Sequence, residues 1–333
     1  MDGKRLGVAA MGGSSAEVVS RIELFEQMGI SAAWLTTGGT MPDGITLFSA
    51  AAVKTNKILM GTCITPTYPR HPLTAIQQIR VVTSLAPGRF RLGLGPSHRV
   101  IVEPTYGYSF GKPITNLKEY IHIIRSLINH NEIDFDGHEW NAHAQFGPDF
   151  DSGERDALAQ MPIMASALRP KSYEVCGAVS DGAISWVCPG EYLNSIALPS
   201  LELGAQQAGR ATPPLVAHAP VCVHDNLEEG RIASREQLAR YPKSPLYQEM
   251  FAESGHPEAR NGLWSDGMLD DVVFIGDEET VTFKLKRLFD LGATEIIAHP
   301  VVAGGDPTQS LQRTLKLLAS LCKRLDEQNE FSL

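Results

Sequence analysis

Long apolar runs are missing from this chain of 333 residues. A membrane-spanning helix needs about 18 consecutive apolar residues, so none is expected. Lys4 and Arg5 stand near the start, but the apolar stretch after them is short and runs into Gly12-Gly13. A signal peptide is therefore not expected. Positive charge is also in short supply, since 29 Lys and Arg against 38 Asp and Glu leave a net charge of −9. That balance argues against a nucleic-acid backbone or an anionic membrane as partner. Cysteine is sparse and odd in number: Cys63, Cys176, Cys188, Cys222 and Cys322, with no CxxC spacing. The pattern suits reduced, buried thiols in a cytoplasmic protein better than disulfides or zinc. His138 and His143 lack the spacing of a helical zinc pair. No low-complexity segment, charge block, GxSxG elbow or Walker loop occurs.

What the chain does contain is one recurring unit: a short apolar run, a glycine or polar turn, then an amphipathic helix. Leu6 to Ala10 is apolar, and Gly12-Gly13 turns the chain. Ser14 and Glu17 have the spacing of a capping box, in which each side chain satisfies a free amide at the helix start. Val18, Ile22 and Phe25 then fall on one helical face, and Gly29 stands where a left-handed cap belongs. Further strands are expected at Ala32–Thr37, Ile58–Ile64, Phe90–Leu94, Pro162–Ala167, Ala183–Cys188, Leu215–Val223 and Thr294–His299. Pro72 can open a helix, where its missing N–H costs nothing. Ile76, Ile79 and Val82 give that helix its face. Leu117, Ile121, Ile124 and Ile128 mark another, Val281, Leu285 and Leu288 a third, and Leu311, Leu315, Leu318 and Leu325 a closing one.

Eight such units imply parallel strands with right-handed crossovers. The expected fold is one α/β domain over residues 1–333, a closed (β/α)8 barrel. A doubly wound open sheet is the competitor, but Gly12-Gly13 lacks the GxGxxG spacing of its nucleotide fingerprint. Two stretches exceed a minimal barrel. One, at about 99–156 after the fourth strand, holds a helix and a hairpin around Asp136-Gly137. The other, at about 241–271 after the seventh, is rich in Pro, Gly and acidic residues. Both follow strands and so rise from the end of a barrel where active sites lie.

Three stretches carry a family likeness: Gly61 to Thr67 with Arg70-His71-Pro72, Pro87 to Gly95, and Pro162 to Ala167. In order and spacing they resemble the bacterial-luciferase-like oxidoreductases that use flavin or deazaflavin. The segment Gly95-Pro96-Ser97-His98-Arg99 is most similar to members that use coenzyme F420, a deazaflavin, with FMN as the alternative cofactor. The resemblance implies a (β/α)8 barrel, a cofactor at the C-terminal strand ends, hydride transfer at the ring C5, and a homodimer.

It also implies site residues. Gly95 and Ser97 lie on the loop that faces the cofactor, and glycine there allows close backbone approach. Arg99 and Arg169 can neutralise an anionic tail; a surface salt bridge is the other reading of Arg99. Cys63-Ile64 stands where related enzymes place a non-prolyl cis peptide supporting the ring. Ser166, Ala167 and Leu168 leave room for a flat ring or diphosphate, and Val187 and Cys188 again touch the cofactor. His98 stands at the place of a catalytic carboxylate in a related sugar-phosphate dehydrogenase and is the candidate catalytic residue. Tyr106, Tyr108 and His299 are further candidates for a proton donor. Trp34 and Trp186 read as packing residues.

One position departs from the family. Members acting on alcohols carry Asp-His after the second strand, and Thr37-Gly38 stands there instead. Thr37 can still hydrogen-bond a ring, but no base is present to take an alcohol proton. Reduction of an activated C=C or C=N bond of a small organic substrate fits better. An FMN-dependent monooxygenase and a barrel that binds a ligand without turnover are the alternative functions. Replacing Ser97 by Glu sets a negative charge against an anionic tail, so S97E should weaken F420 binding in a fluorescence titration. An unchanged dissociation constant would remove Ser97 from the site.

Overall fold

The computed structural model describes residues 3–330. Eight parallel strands form a closed ring: β1 (Arg5–Ala9), β2 (Ala32–Leu35), β3 (Leu59–Thr62), β4 (Phe90–Gly95), β5 (Ile163–Ser166), β6 (Ala183–Trp186), β7 (Leu215–Val223) and β8 (Glu295–Pro300). Neighbours in sequence are neighbours in the sheet, and β8 pairs with β1 to close it. The expected (β/α)8 barrel is the fold.

Local signals act as read. The Ser14 hydroxyl accepts from the Glu17 amide at 3.2 Å, while the Glu17 carboxylate accepts from the Gly13 amide at 2.8 Å. Helix Ser15–Met28 buries Val18, Ile22 and Phe25 and ends at Gly29 with φ 81°. Each such side chain contributes about 1.5–3 kcal/mol on burial. Helix Pro72–Leu85 begins at the expected proline. Helix Gly44–Ala52 follows β2, where the sequence reading placed no element.

Alternate strand residues point inward and form a second, smaller core of Ala9, Ala32, Trp34, Cys63, Met164, Ile184, Val216 and Ile297. Trp34 is fully buried, and the missing side chain of Gly61 makes room for it. A Cβ there would lie 2.5 Å from the indole. At the N-terminal end of the barrel, Glu295 accepts from Arg91 Nη1 at 2.5 Å, Arg91 Nη2 at 3.0 Å and Trp34 Nε1 at 3.0 Å. The Arg91 guanidinium lies 4.2 Å over the Trp34 ring. This layer plugs the lower end, so the open mouth is at the C-terminal strand ends.

Both longer segments rise at that mouth. The first holds helices Arg99–Tyr106 and Pro113–His130, then the hairpin Glu132–Asp136 with Asn141–Gln145, then helix Ser152–Ala159. The second holds helices Pro245–Glu253 and Asp266–Val272 with short 3-10 turns. The cysteines are unpaired, and all but the half-buried Cys188 are buried.

Burial pushes the Glu295 carboxyl up, but the Arg91 charge and hydrogen bonds, then Arg5 and the Trp34 indole, pull it further down, below its ordinary range. E295Q leaves Arg91 buried without a counter-charge and should cost about 3–5 kcal/mol, read from urea unfolding at neutral pH. The carboxylate's contribution is present above the ordinary glutamate range and disappears as pH falls through the depressed folded value. Wild type and variant should therefore converge in acid. An unchanged urea midpoint would contradict this account.

Candidate active site

The ends of β3, β4 and β5 meet at one point, and Gly95 marks it. A Cβ on Gly95 would lie 2.3 Å from the Ser166 hydroxyl and 3.1 Å from Ile64 Cδ1. Ile64 and Ser166 fill the space that a side chain on Gly95 would need, and both stay half-buried. Only Met60 and Gly61 of β3 pair with β4 before the chain leaves the ladder. The Thr62 hydroxyl bridges the break, accepting from the Gly93 amide at 2.9 Å and donating to its carbonyl at 2.8 Å. The Cys63–Ile64 peptide that follows is cis, as the family likeness implies.

The β2 rim is tied to this bulge. The Thr37 amide donates to the Ile64 carbonyl at 3.2 Å, and the Thr36 hydroxyl donates to the Cys63 carbonyl at 3.0 Å. Thr37 Oγ1 accepts from the Gly44 amide at 2.9 Å. Its own proton is left to donate elsewhere. Burial pushes the Cys63 and Cys188 thiols up to about 12, so neither is a thiolate nucleophile at neutral pH.

Two non-glycine residues adopt left-handed backbone just past strand ends: Ser97 with φ 62° and Val187 with φ 52°. For β-branched Val187 this costs about 1–3 kcal/mol, and such residues concentrate at functional sites. Ala167 is held by its amide, which donates to the Ile184 carbonyl at 2.9 Å, and the Leu168 carbonyl accepts from Tyr192 at 3.0 Å. Arg169 pairs with Glu253 of the second insertion, while its Nη1 is buried with no partner among the described residues. Arg99 makes the surface pair with Glu103 at 2.5 Å and donates to the Phe110 carbonyl at 2.7 Å. The structure thus brings Thr37, Cys63, Ile64, Gly95 and Ser166 together and leaves Arg99 engaged on the surface.

Across the mouth, β6, β7 and β8 present rings. Trp186 lies 4.1 Å from His218 and 5.2 Å from His299, and the two histidines are 5.5 Å apart. Tyr241 of the second insertion stands 5.5 Å from Trp186 and 5.2 Å from Tyr247. His98, which opens the first insertion, lies 6.2 Å from Tyr247. The two insertions therefore approach each other over the barrel. Tyr106 donates to the Gly39 carbonyl, and Tyr108 is exposed.

The sequence reading missed His218, Arg240, Tyr241 and Tyr247. For His218 a signal existed: it is polar at an inward position of a strand buried along its whole length. The tyrosines carried none, because only the fold brings residues of the insertion over β6.

This architecture is that of a large family. A family model for luciferase-like monooxygenases matches residues 4–295, and the chain belongs to that family. Among curated relatives, the 5,10-methylenetetrahydromethanopterin reductase of Methanolobus tindarius is 26% identical over 297 residues, covering 83% of this chain and 87% of its own. Among solved structures, an F420-dependent secondary alcohol dehydrogenase in complex with an F420-acetone adduct superposes with a TM-score of 0.76 at 17% identity, covering 95% of this chain and 98% of its own. The coenzyme F420-dependent tetrahydromethanopterin reductase of Methanopyrus kandleri does so with a TM-score of 0.73 at 18% identity, covering 96% and 98%.

Burial, and then the Arg240 cation, hold the His98 imidazole below its ordinary value, so it is neutral at neutral pH. Removing that cation in R240Q should move the His98 titration midpoint upward in an NMR pH series. A midpoint that stays put or falls would show that Arg240 does not act on His98.

Proposed function

We propose that the protein is an F420-dependent oxidoreductase that transfers hydride between the deazaflavin C5 and a small organic substrate, reducing an activated C=C or C=N bond. The observation that carries this reading is the close approach at Gly95, where three strand ends meet and the half-buried Ser166 and Ile64 pack directly on the glycine backbone. A planar ring fits over this rim of small side chains and backbone, with Ile64 as an apolar support. An anionic tail fits Ser97 and Arg169, whose buried Nη1 has a donor to spare. The names borne by the Methanopyrus reductase and the alcohol dehydrogenase support F420 over FMN.

When bound, the cofactor supplies the hydride chemistry. The chain's own residues bind, orient and exclude water. Ile64, Gly95 and Ser166 hold the ring, and Thr37 donates a hydrogen bond to it. Cys63, Ala167, Leu168, Val187 and Cys188 line the site as apolar walls. Ser97 and Arg169 hold the tail; Arg99 joins them by exchanging Glu103 for it. His98, neutral at neutral pH, orients the substrate through its ring N–H, with the final proton drawn from water. The reading includes one barrel domain over 1–333, a homodimer, and a cytoplasmic setting supported by five free thiols and by the lack of any described helix long and apolar enough to cross a membrane.

Parallel titrations with F420 and FMN test this. The protein should quench F420 fluorescence saturably, purify without yellow FMN, and consume reduced F420 when given enone or imine acceptors. Retained FMN without F420 binding would point to the oxygenase. F420 binding with no turnover in a broad acceptor screen would point to a ligand-binding barrel.

A further inference from the structure

Three buried ring nitrogens cluster in the mouth without a hydrogen-bond partner among the described residues: Trp186 Nε1, His218 Nε2 and His299 Nδ1. They sit on three adjacent strands, with ring centroids 4.1 to 5.5 Å apart. His218 is only 5% exposed. Each buried polar atom left unpaired costs about 1–3 kcal/mol, and folded proteins satisfy nearly all of them. Three together, on inward positions where an apolar residue would pack at no such cost, mark a place built to bind something polar.

The donor set restricts what that is. An indole only donates; a neutral imidazole donates at one nitrogen and accepts at the other. Burial drives His218 well below its ordinary range and His299 down to about 4, with the His299 charge acting further on His218 and the Arg240 cation on His299. Both rings are therefore neutral at neutral pH. Arg240 donates to the Tyr241 hydroxyl at 2.7 Å, so the nearby charge is positive. The carboxylate on the adjoining helix, Glu253, is taken by Arg169. Nothing here compensates a cationic ligand. The walls are flat rings, with Tyr241 edge-on to Trp186.

We infer that Trp186, His218 and His299 form a recognition subsite for a planar, uncharged group that carries a carbonyl or ring-nitrogen acceptor beside an N–H donor, such as an amide, lactam or N-heterocycle, and that this group belongs to the substrate. The first half stands on the cluster alone. The second rests on the functional reading above: the close approach at Gly95 lies on β3 to β5, and the cluster occupies β6 to β8 of the same mouth, roofed by the second insertion. Ser166, packed on Gly95, pairs in register with Ile184, two residues before Trp186 on the same inward face. A substrate held by the rings thus adjoins the cofactor site, as close approach of reacting atoms requires.

Three probes of one shape but different charge test the subsite: benzamide, benzoate and benzamidinium, titrated by calorimetry into the full chain with 15N signals of the histidine rings followed by NMR. Benzamide should bind most tightly and shift the His218 and His299 ring signals. H218F and W186F, which keep a ring and delete the polar atom, should each weaken benzamide by about tenfold while leaving F420 affinity within about twofold. If H218F fails to fold, W186F carries the comparison. No binding of benzamide, binding indifferent to both variants, or tighter binding of either ion overturns the subsite. Loss of F420 affinity in step with benzamide affinity overturns the assignment to substrate and gives the rings to the cofactor. Should the wild type bind no F420 at all, the functional reading fails, and benzamide binding still decides the subsite.

Discussion

Glu295 sits inside the barrel with its carboxylate between Arg91, Arg5 and the Trp34 indole. The four residues come from four strands, and two of these, β4 and β8, stand apart in the ring. A buried ion pair adds little net stability, because desolvation offsets much of the attraction, yet it is costly to break. Its effect is to fix which residues of distant strands share a layer. With Trp34 filling the axis beside it, the lower end is shut. Everything reactive must then be arranged at the other end.

That other end is divided by side-chain size. On β3 to β5 the interior is made of small residues and backbone. Gly93 and Gly95 let neighbouring strands approach, the Thr62 hydroxyl replaces lost ladder bonds, and Ser166 and Ile64 pack on Gly95. On β6 to β8 the interior is made of rings, with Trp186, His218 and His299 in contact. A surface of small side chains and backbone beside a surface that is aromatic and polar suits two ligands of different kinds. The helical insertions close the mouth from above, and the Arg169–Glu253 pair latches one of them to the rim of β5.

Much of this was legible in the chain itself. Strand positions followed from short apolar runs between glycine turns, and observed ends differ from expected ones by at most two residues. The capping pair Ser14 and Glu17 and the cap at Gly29 behaved as local chemistry requires, since each depends on residues a few positions apart. The bulge at Cys63-Ile64 and the approach at Gly95 were reached through family likeness, because a glycine in a strand reads equally as a tight turn. Arg99 was open to two readings. Its charge suited an anionic ligand or a surface salt bridge, and here it pairs with Glu103, four residues on along the same helix.

By itself the sequence determined the elements, their alternation and therefore the parallel barrel, because periodicity and capping act over a few residues. The tertiary structure alone decided what stands in the mouth. His218, Trp186, His299 and Tyr241 are separated by more than twenty residues each, and only closure of the β6–β7–β8 wall and the fold of the second insertion bring their rings together. Pairing between neighbours along the chain is written in local pattern; contact across a closed ring is set by strand register and tilt, which no local pattern encodes.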